Sequence, residues 1–332
     1  MNVIDMKPFT AADFASDQEV RWCPGCGDYA ILKAVKTVLA DVGRSPDEVV
    51  FVSGIGCAAR FPYYLSSYGF HTIHGRAPAV ATGVKLANPD LDVWVVGGDG
   101  DFLSIGGNHL IHVLRRNVDL NLLLFNNAIY GLTKGQYSPT SPVGTRSPST
   151  PGGSVEQPVN AALLALGAGA KFVARGADTL QTHLPQVLRR AHDNKGASFV
   201  EILQNCIVYN DGAFGAINDR SESHNATIRL EHGKPMIFGK DEDRGLVWDG
   251  ASEAFRVVDL AQSSVSELAI HDETNFARAV ALARLEQPDF PVALGVLYDV
   301  EAPAYCDAAG FREAAGRARG LDRSTLQAML DG

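Results

Sequence analysis

The chain has 332 residues, 46% of them hydrophobic, enough to bury one large or two modest cores. Its net charge of -9 repels nucleic acid and anionic membrane surfaces at long range, so any phosphate site must be local. Five cysteines in a long chain argue against a secreted disulfide framework. The N-terminus carries early acidic residues and no signal-like apolar run, and no segment reaches the roughly 20 apolar residues of a membrane span, so a cytoplasmic location is expected.

The first distinctive stretch is Trp22-Cys23-Pro24-Gly25-Cys26-Gly27-Asp28. A C-x-x-C pair fits half a zinc site, a redox dithiol or part of an iron–sulfur cluster, and the spacing does not choose among them. Ile31, Leu32, Val35, Val38 and Leu39 then recur at helical spacing, with Gly43 placed to end the helix. The run Val49-Val50-Phe51-Val52 predicts a buried strand that delivers Ser53-Gly54-Ile55-Gly56-Cys57 at its carboxyl end. A short apolar strand is expected between His71 and His74, a helix over 78–86 and a strand over 93–96. A helix through 103–115 and a strand over 120–125 follow.

These strands are almost wholly apolar, as in a parallel sheet covered by helices on both faces, where ligands bind beyond the carboxyl strand ends. Gly54-Ile55-Gly56-Cys57, Gly97-Gly98-Asp99-Gly100-Asp101 and Asn126-Asn127 all fall there. Residues 133–158 are rich in Pro, Ser, Thr and Gly, cannot build a core, and read as a long excursion within one domain rather than as a linker. Helices at 159–166 and 180–192 and strands at 172–173 and 198–203 lead to Cys206. The expected fold is α/β with a mostly parallel sheet, residues 1–208 forming the main domain and 209–332 a C-terminal arm and extension. In that extension 209–250 has no clear period, a helix is expected at 276–285, a strand at 292–297, and an Arg-rich helical tail at the end.

The most informative pair is GGDGD after one apolar strand and NNAIYG after the next. Magnesium requires oxygen ligands and is commonly completed by substrate phosphates. Asp99 offers a carboxylate, Asn127 an amide oxygen, and the backbone near Ile129 a carbonyl. Gly100 admits a phosphate close to the backbone, and the helix opening near Asp101 adds oriented N–H groups. GDGD alone also fits a tight turn. GDG followed about thirty residues later by NN, each closing a strand, is similar to the thiamine diphosphate (TPP) signature. A dinucleotide site is disfavoured, because Gly54-Ile55-Gly56 lacks the final glycine of its fingerprint, and no Walker lysine motif is present.

Together with CPGCG, GIGC, HTIHGRA and the distant Cys206, this signature resembles the β subunits of the 2-oxoacid:ferredoxin oxidoreductases, most nearly the 2-oxoglutarate type. The resemblance spans Cys23 to Cys206 and implies the TPP-binding fold. It implies that Cys23, Cys26, Cys57 and Cys206 bind one [4Fe-4S] cluster, that Asp99, Asn127 and the Ile129 carbonyl hold Mg2+, and that TPP touches Ile55, Gly56, Cys57, Ala58, His74, Gly100, Asp101, Gly131 and Leu132. It also implies CoA-dependent oxidative decarboxylation of a 2-oxoacid, best matched by 2-oxoglutarate to succinyl-CoA, with single electrons passed through the cluster to ferredoxin. The residues are equally compatible with the reverse, carboxylating direction. The carboxylate that activates TPP comes, in this family, from a partner α subunit, so an αβ or (αβ)2 assembly inactive without that partner is expected.

Arg60, three residues after Cys57, is a candidate for the substrate carboxylate, with a surface ion pair as the alternative. The resemblance carries His74 but not His71, and Thr133 and Lys134 are explained as well by a polar loop as by phosphate contact. Cys306 is expected to pack. A pyruvate-type enzyme and a non-catalytic subunit with four cysteines on zinc remain as alternative readings.

Overall fold

A computed structural model describes residues 8–219, 221–310 and 327; the Arg-rich tail expected to be helical lies almost wholly outside these residues. Helix α1 (Asp28–Val42) buries the stripe of Ile31, Leu32, Val35, Val38 and Leu39, and ends where Gly43 takes a left-handed conformation and donates its N–H to the Leu39 carbonyl. There follow β1 (Val49–Ser53), β2 (Tyr68–His71), α2 (Ala77–Ala87), β3 (Asp92–Gly98), α3 (Asp99–Leu103), α4 (Gly107–Arg116) and β4 (Leu120–Asn126). After the long loop come α5 (Ala161–Gly167), β5 (Phe172–Ala177), α6 (His183–Asp193) and β6 (Ala197–Leu203). The extension contributes α7 (Gly215–Asn218), α8 (Ser223–Ala226), β7 (Thr227–Arg229), β8 (Ile237–Phe238), β9 (Arg244–Asp249), β10 (Ala254–Asp259), α9 (Phe276–Ala283), β11 (Val292–Asp299) and α10 (Tyr305–Ala308).

Eight strands form one sheet in the order β2-β1-β3-β4-β6-β5-β11-β7, parallel throughout except where β11 runs against β5. The expected mostly parallel α/β sheet is therefore present. Helices α1 and α6 cover one face over a core of Phe51, Phe61, Trp94 and Phe125, while α2, α4, α5 and α9 cover the other over Val95, Leu122 and Phe199. Register sets the site: Ser53 pairs with Val96, Gly98 with Phe125 and Asn126 with Leu203. The turns after β1, β3, β4 and β6 consequently leave the sheet side by side at one end.

Three expectations change. The helix expected over 103–115 is two, because the chain breaks at Ser104 (φ −92°, ψ −108°) before α4 restarts at Gly107. The break brings Gly106 against Gly75, where a Cβ on Gly75 would lie 2.5 Å from the Gly106 nitrogen, a backbone approach open only to glycine. The strand expected between His71 and His74 instead ends at His71, and Thr72 folds back to donate its hydroxyl to the Ser53 carbonyl at 2.8 Å. Finally, β7 and β11 of the C-terminal extension join the main sheet, while β8, β9 and β10 form a small antiparallel sheet of their own. Strands of two to six residues in the smaller sheet are too short to show a period in the sequence. Among the described residues no helix is long and apolar enough to cross a membrane.

Candidate active site

Ile55, Gly56, Cys57, Ala58, His74, Asp99, Gly100, Asp101, Asn127, Ile129, Gly131 and Leu132 all line one cleft at the carboxyl end of the sheet, joined by Gly98, Phe125, Tyr130 and Thr133. Every residue expected at the TPP and magnesium sites is thus brought together. Asp101 organises the cleft floor. Its Oδ1 accepts from the Ile55 N–H at 3.1 Å, the Gly75 N–H at 3.0 Å and His74 Nδ1 at 2.7 Å, which ties the GIGC turn to the turn after β2. Its Oδ2 is buried against Gly54, where a Cβ would lie 1.8 Å from it, and has no hydrogen-bond partner among the described residues. Gly100 is required by contact: a Cβ there would lie 2.1 Å from the Tyr130 ring, whose hydroxyl donates to the Gly100 carbonyl.

Asp99 is 2% exposed, and burial lifts its carboxyl to about 6, against the opposing pull of hydrogen bonds from Ser138 and Thr140. A cation beside it would favour the charged form. Ser138 and Thr140 belong to the polar excursion, so that segment folds back onto the site; sequence reasoning marked the loop but not these two hydroxyls. The two asparagines divide the work. Asn126 donates to Glu201 Oε1 at 2.8 Å inside the sheet, whereas Asn127 lines the cleft with its Oδ1 accepting from the Ile129 N–H at 3.2 Å. Glu201 also meets Arg175 at 2.8 Å, a buried pair that sequence reasoning missed although a glutamate within the apolar strand Phe199-Val200-Glu201-Ile202 is its signal.

Cys23, Cys26, Cys57 and Cys206 line a second chamber with Trp22, Arg60, Gln204 and Tyr209. Among the described residues no three His, Cys, Asp or Glu side chains converge on a single-ion site; the four cysteines instead line one chamber. Burial pushes the Cys57 thiol up to about 12 and the Cys26 thiol up as well, nearby Asp28 adding to both, so as thiolates they need a positive group. Trp22 Nε1 donates to the Cys57 carbonyl at 2.7 Å, fixing the turn of Cys23 and Cys26 against the turn of Cys57. Arg60 lies on this chamber rather than in the cleft, with its Nε donating to the Tyr64 hydroxyl at 2.9 Å. His71 ends the exposed edge strand away from both linings, Lys134 lines neither, and Cys306 is fully buried elsewhere.

Cleft and chamber share a wall. Cys57, Asn127, Gly131 and Leu132 line both, and a Cβ on Gly131 would meet the Cys206 and Cys57 sulfurs at 3.5 and 3.8 Å.

Residues 54–202 match the family model described as "Thiamine pyrophosphate enzyme, C-terminal TPP binding domain". The 2-oxoglutarate oxidoreductase subunit KorB of Mycobacterium tuberculosis is 49% identical over 98% of this chain and 88% of its own length. The 2-oxoglutarate synthase subunit KorB of Methanocaldococcus jannaschii is 41% identical over 57% of this chain and 70% of its own. Among solved structures, the 2-oxoglutarate:ferredoxin oxidoreductase from Magnetococcus marinus, with 2-oxoglutarate, coenzyme A and succinyl-CoA bound, superposes with a TM-score of 0.75 at 33% identity, covering 98% of this chain and 97% of that one.

Proposed function

Because the chain belongs to the β subunits of the 2-oxoacid:ferredoxin oxidoreductases, we propose that with a partner α subunit it converts 2-oxoglutarate and coenzyme A to succinyl-CoA and carbon dioxide, ferredoxin taking the electrons. The observation that carries this reading is the wall of Cys57, Asn127, Gly131 and Leu132 common to the cleft and the cysteine chamber. A decarboxylating cofactor on one side and an electron acceptor on the other would then lie within direct reach.

TPP, when bound, supplies a nucleophilic carbon and an electron sink. Asp101 holds the cleft turns in place through its Oδ1, and Gly100 leaves room for the Tyr130 ring beside the cleft backbone. Asp99, Asn127 and the Ile129 carbonyl would hold Mg2+ against that diphosphate, an all-oxygen set suited to a hard cation. Cys23, Cys26, Cys57 and Cys206 would hold one [4Fe-4S] cluster, which takes four cysteine thiolates and would sit in the chamber they line. His74, oriented by Asp101, faces the cleft, and Arg60 beside Cys57 offers a guanidinium for a carboxylate or for the cluster's charge.

The activating carboxylate is assigned to the α subunit, in an αβ or (αβ)2 enzyme of the cytoplasm able to run in either direction. Anaerobic co-purification with that subunit, followed by iron and sulfide analysis and assay of several 2-oxoacids with coenzyme A and ferredoxin, tests the proposal. Selective turnover of 2-oxoglutarate is expected. Comparable rates with pyruvate would overturn the substrate, zinc without iron would overturn the cluster, and activity of the isolated chain would overturn the need for a partner.

A further inference from the structure

Gln204 follows the last residue of β6, is 1% exposed, and lines the cysteine chamber. Its Nε2 lies 2.6 Å from the Asn205 carbonyl oxygen and 3.3 Å from Cys26 Sγ. With Cys26 as a thiolate both neighbours are acceptors, and they fix the amide. Turned over, it would set its oxygen against a carbonyl oxygen and an anionic sulfur. In the orientation present, Gln204 Oε1 is buried with no hydrogen-bond partner among the described residues. A buried amide that leaves its own oxygen unsatisfied while aiming one N–H at a carbonyl and one at a sulfur calls for a compensating interaction.

We infer that Gln204 is a positioning residue for electron transfer: its N–H···S hydrogen bond to Cys26 stabilises the reduced form of the iron–sulfur cluster and raises the potential at which the chain accepts each electron. This rests on the reading that the four cysteines hold that cluster. Reduction adds one electron and makes or breaks no bond at Gln204. The added charge spreads onto the cysteine sulfurs, and an N–H dipole pointed at one of them favours the more negative state. Burial strengthens the effect, because little water competes or screens inside the chamber.

The test uses the chain co-purified anaerobically with its α subunit, with iron and sulfide content measured first and the one-electron couple then titrated by electron paramagnetic resonance. Gln204→Leu is expected to keep the cluster and shift its midpoint potential downward. Gln204→Glu, which keeps the shape and replaces the donor by an anion, should shift it further the same way. In pulsed spectra of the reduced cluster after exchange into deuterated water, one deuteron coupling present in the wild type should vanish from Gln204→Leu. A cluster-replete Gln204→Leu with unchanged potential and coupling overturns the inference. So does loss of the cluster from both variants, since the residue would then hold the cysteines rather than set the potential. A wild-type preparation without iron and sulfide overturns the cluster reading itself.

Discussion

Thr140 Oγ1 donates to Asp99 Oδ2 at 2.6 Å, pinning the 133–158 loop to the carboxyl end of β3. The same hydroxyl lies 2.9 Å from Asn126 Oδ1 and so also touches the end of β4. Hydrogen bonds to charged groups contribute about 1.5–3 kcal/mol. Thr140→Val should lose stability of that order in urea unfolding, accelerate proteolytic nicking within 133–158, and weaken TPP binding in the presence of magnesium. A variant with wild-type nicking rates would show that the loop is held by other contacts.

Arg175 and Glu201 face each other across β5 and β6 with their side chains almost fully buried. Removing one partner of a buried pair costs about 3–5 kcal/mol, because the other charge is stranded. Arg175→Met is expected to destabilise by that amount and to disturb Asn126, which shares Glu201. Adding Glu201→Met should recover part of the loss. Denaturant titration of the single and double variants checks both statements, and a double variant less stable than Arg175→Met refutes the stranded-charge account.

Gly100→Ala should impair TPP binding through the Tyr130 ring rather than through the diphosphate alone, since the new methyl would sit 2.1 Å from a ring carbon. The second substitution Tyr130→Ala removes that collision. Calorimetric titration of TPP should therefore show tighter binding to the double variant than to Gly100→Ala, and equal affinities would locate the fault at the phosphate.

His192 carries a pH signature. Its ring stacks on Trp94 at 6.0 Å and its Nε2 lies 3.2 Å from Asp92 Oδ2. Burial alone would lower its pKa, but Asp92 and then Asp193 outweigh burial, and the net shift is upward. A group raised on folding stabilises fully below its unfolded value of about 6.5 and loses that contribution as pH climbs through the raised folded value. The stability gap between wild type and His192→Gln should thus be widest near pH 6 and should narrow as pH climbs into the alkaline range. Unfolding measured across that range checks the sign; a gap that widens with pH would reverse it.

Much of this architecture was legible because the signals were local. Gly43 ends α1 where the apolar stripe stops, and the apolar runs at 49–52, 93–96 and 120–125 became buried neighbours whose ends meet at the cleft. Asp99 and Asn127 could be placed beside the cleft from the pattern because each directly follows an apolar strand. What stayed hidden depends on tertiary contact. The break between α3 and α4 exists to seat Gly106 on Gly75, and the pattern of 103–115 contains no trace of that partner. Ser138 and Thr140 are ordinary loop residues until the loop folds over Asp99. Glu201 was visible as an oddity in an apolar strand, but its partners on neighbouring strands were not.

The shared wall of Cys57, Asn127, Gly131 and Leu132 limits how this enzyme can be redesigned. A side chain changed at any of these positions alters both linings, so a substitution made for the cleft also reshapes the space that the cysteines line. Effects on the two spaces are therefore coupled, and a library that varies these positions must be screened for both at once.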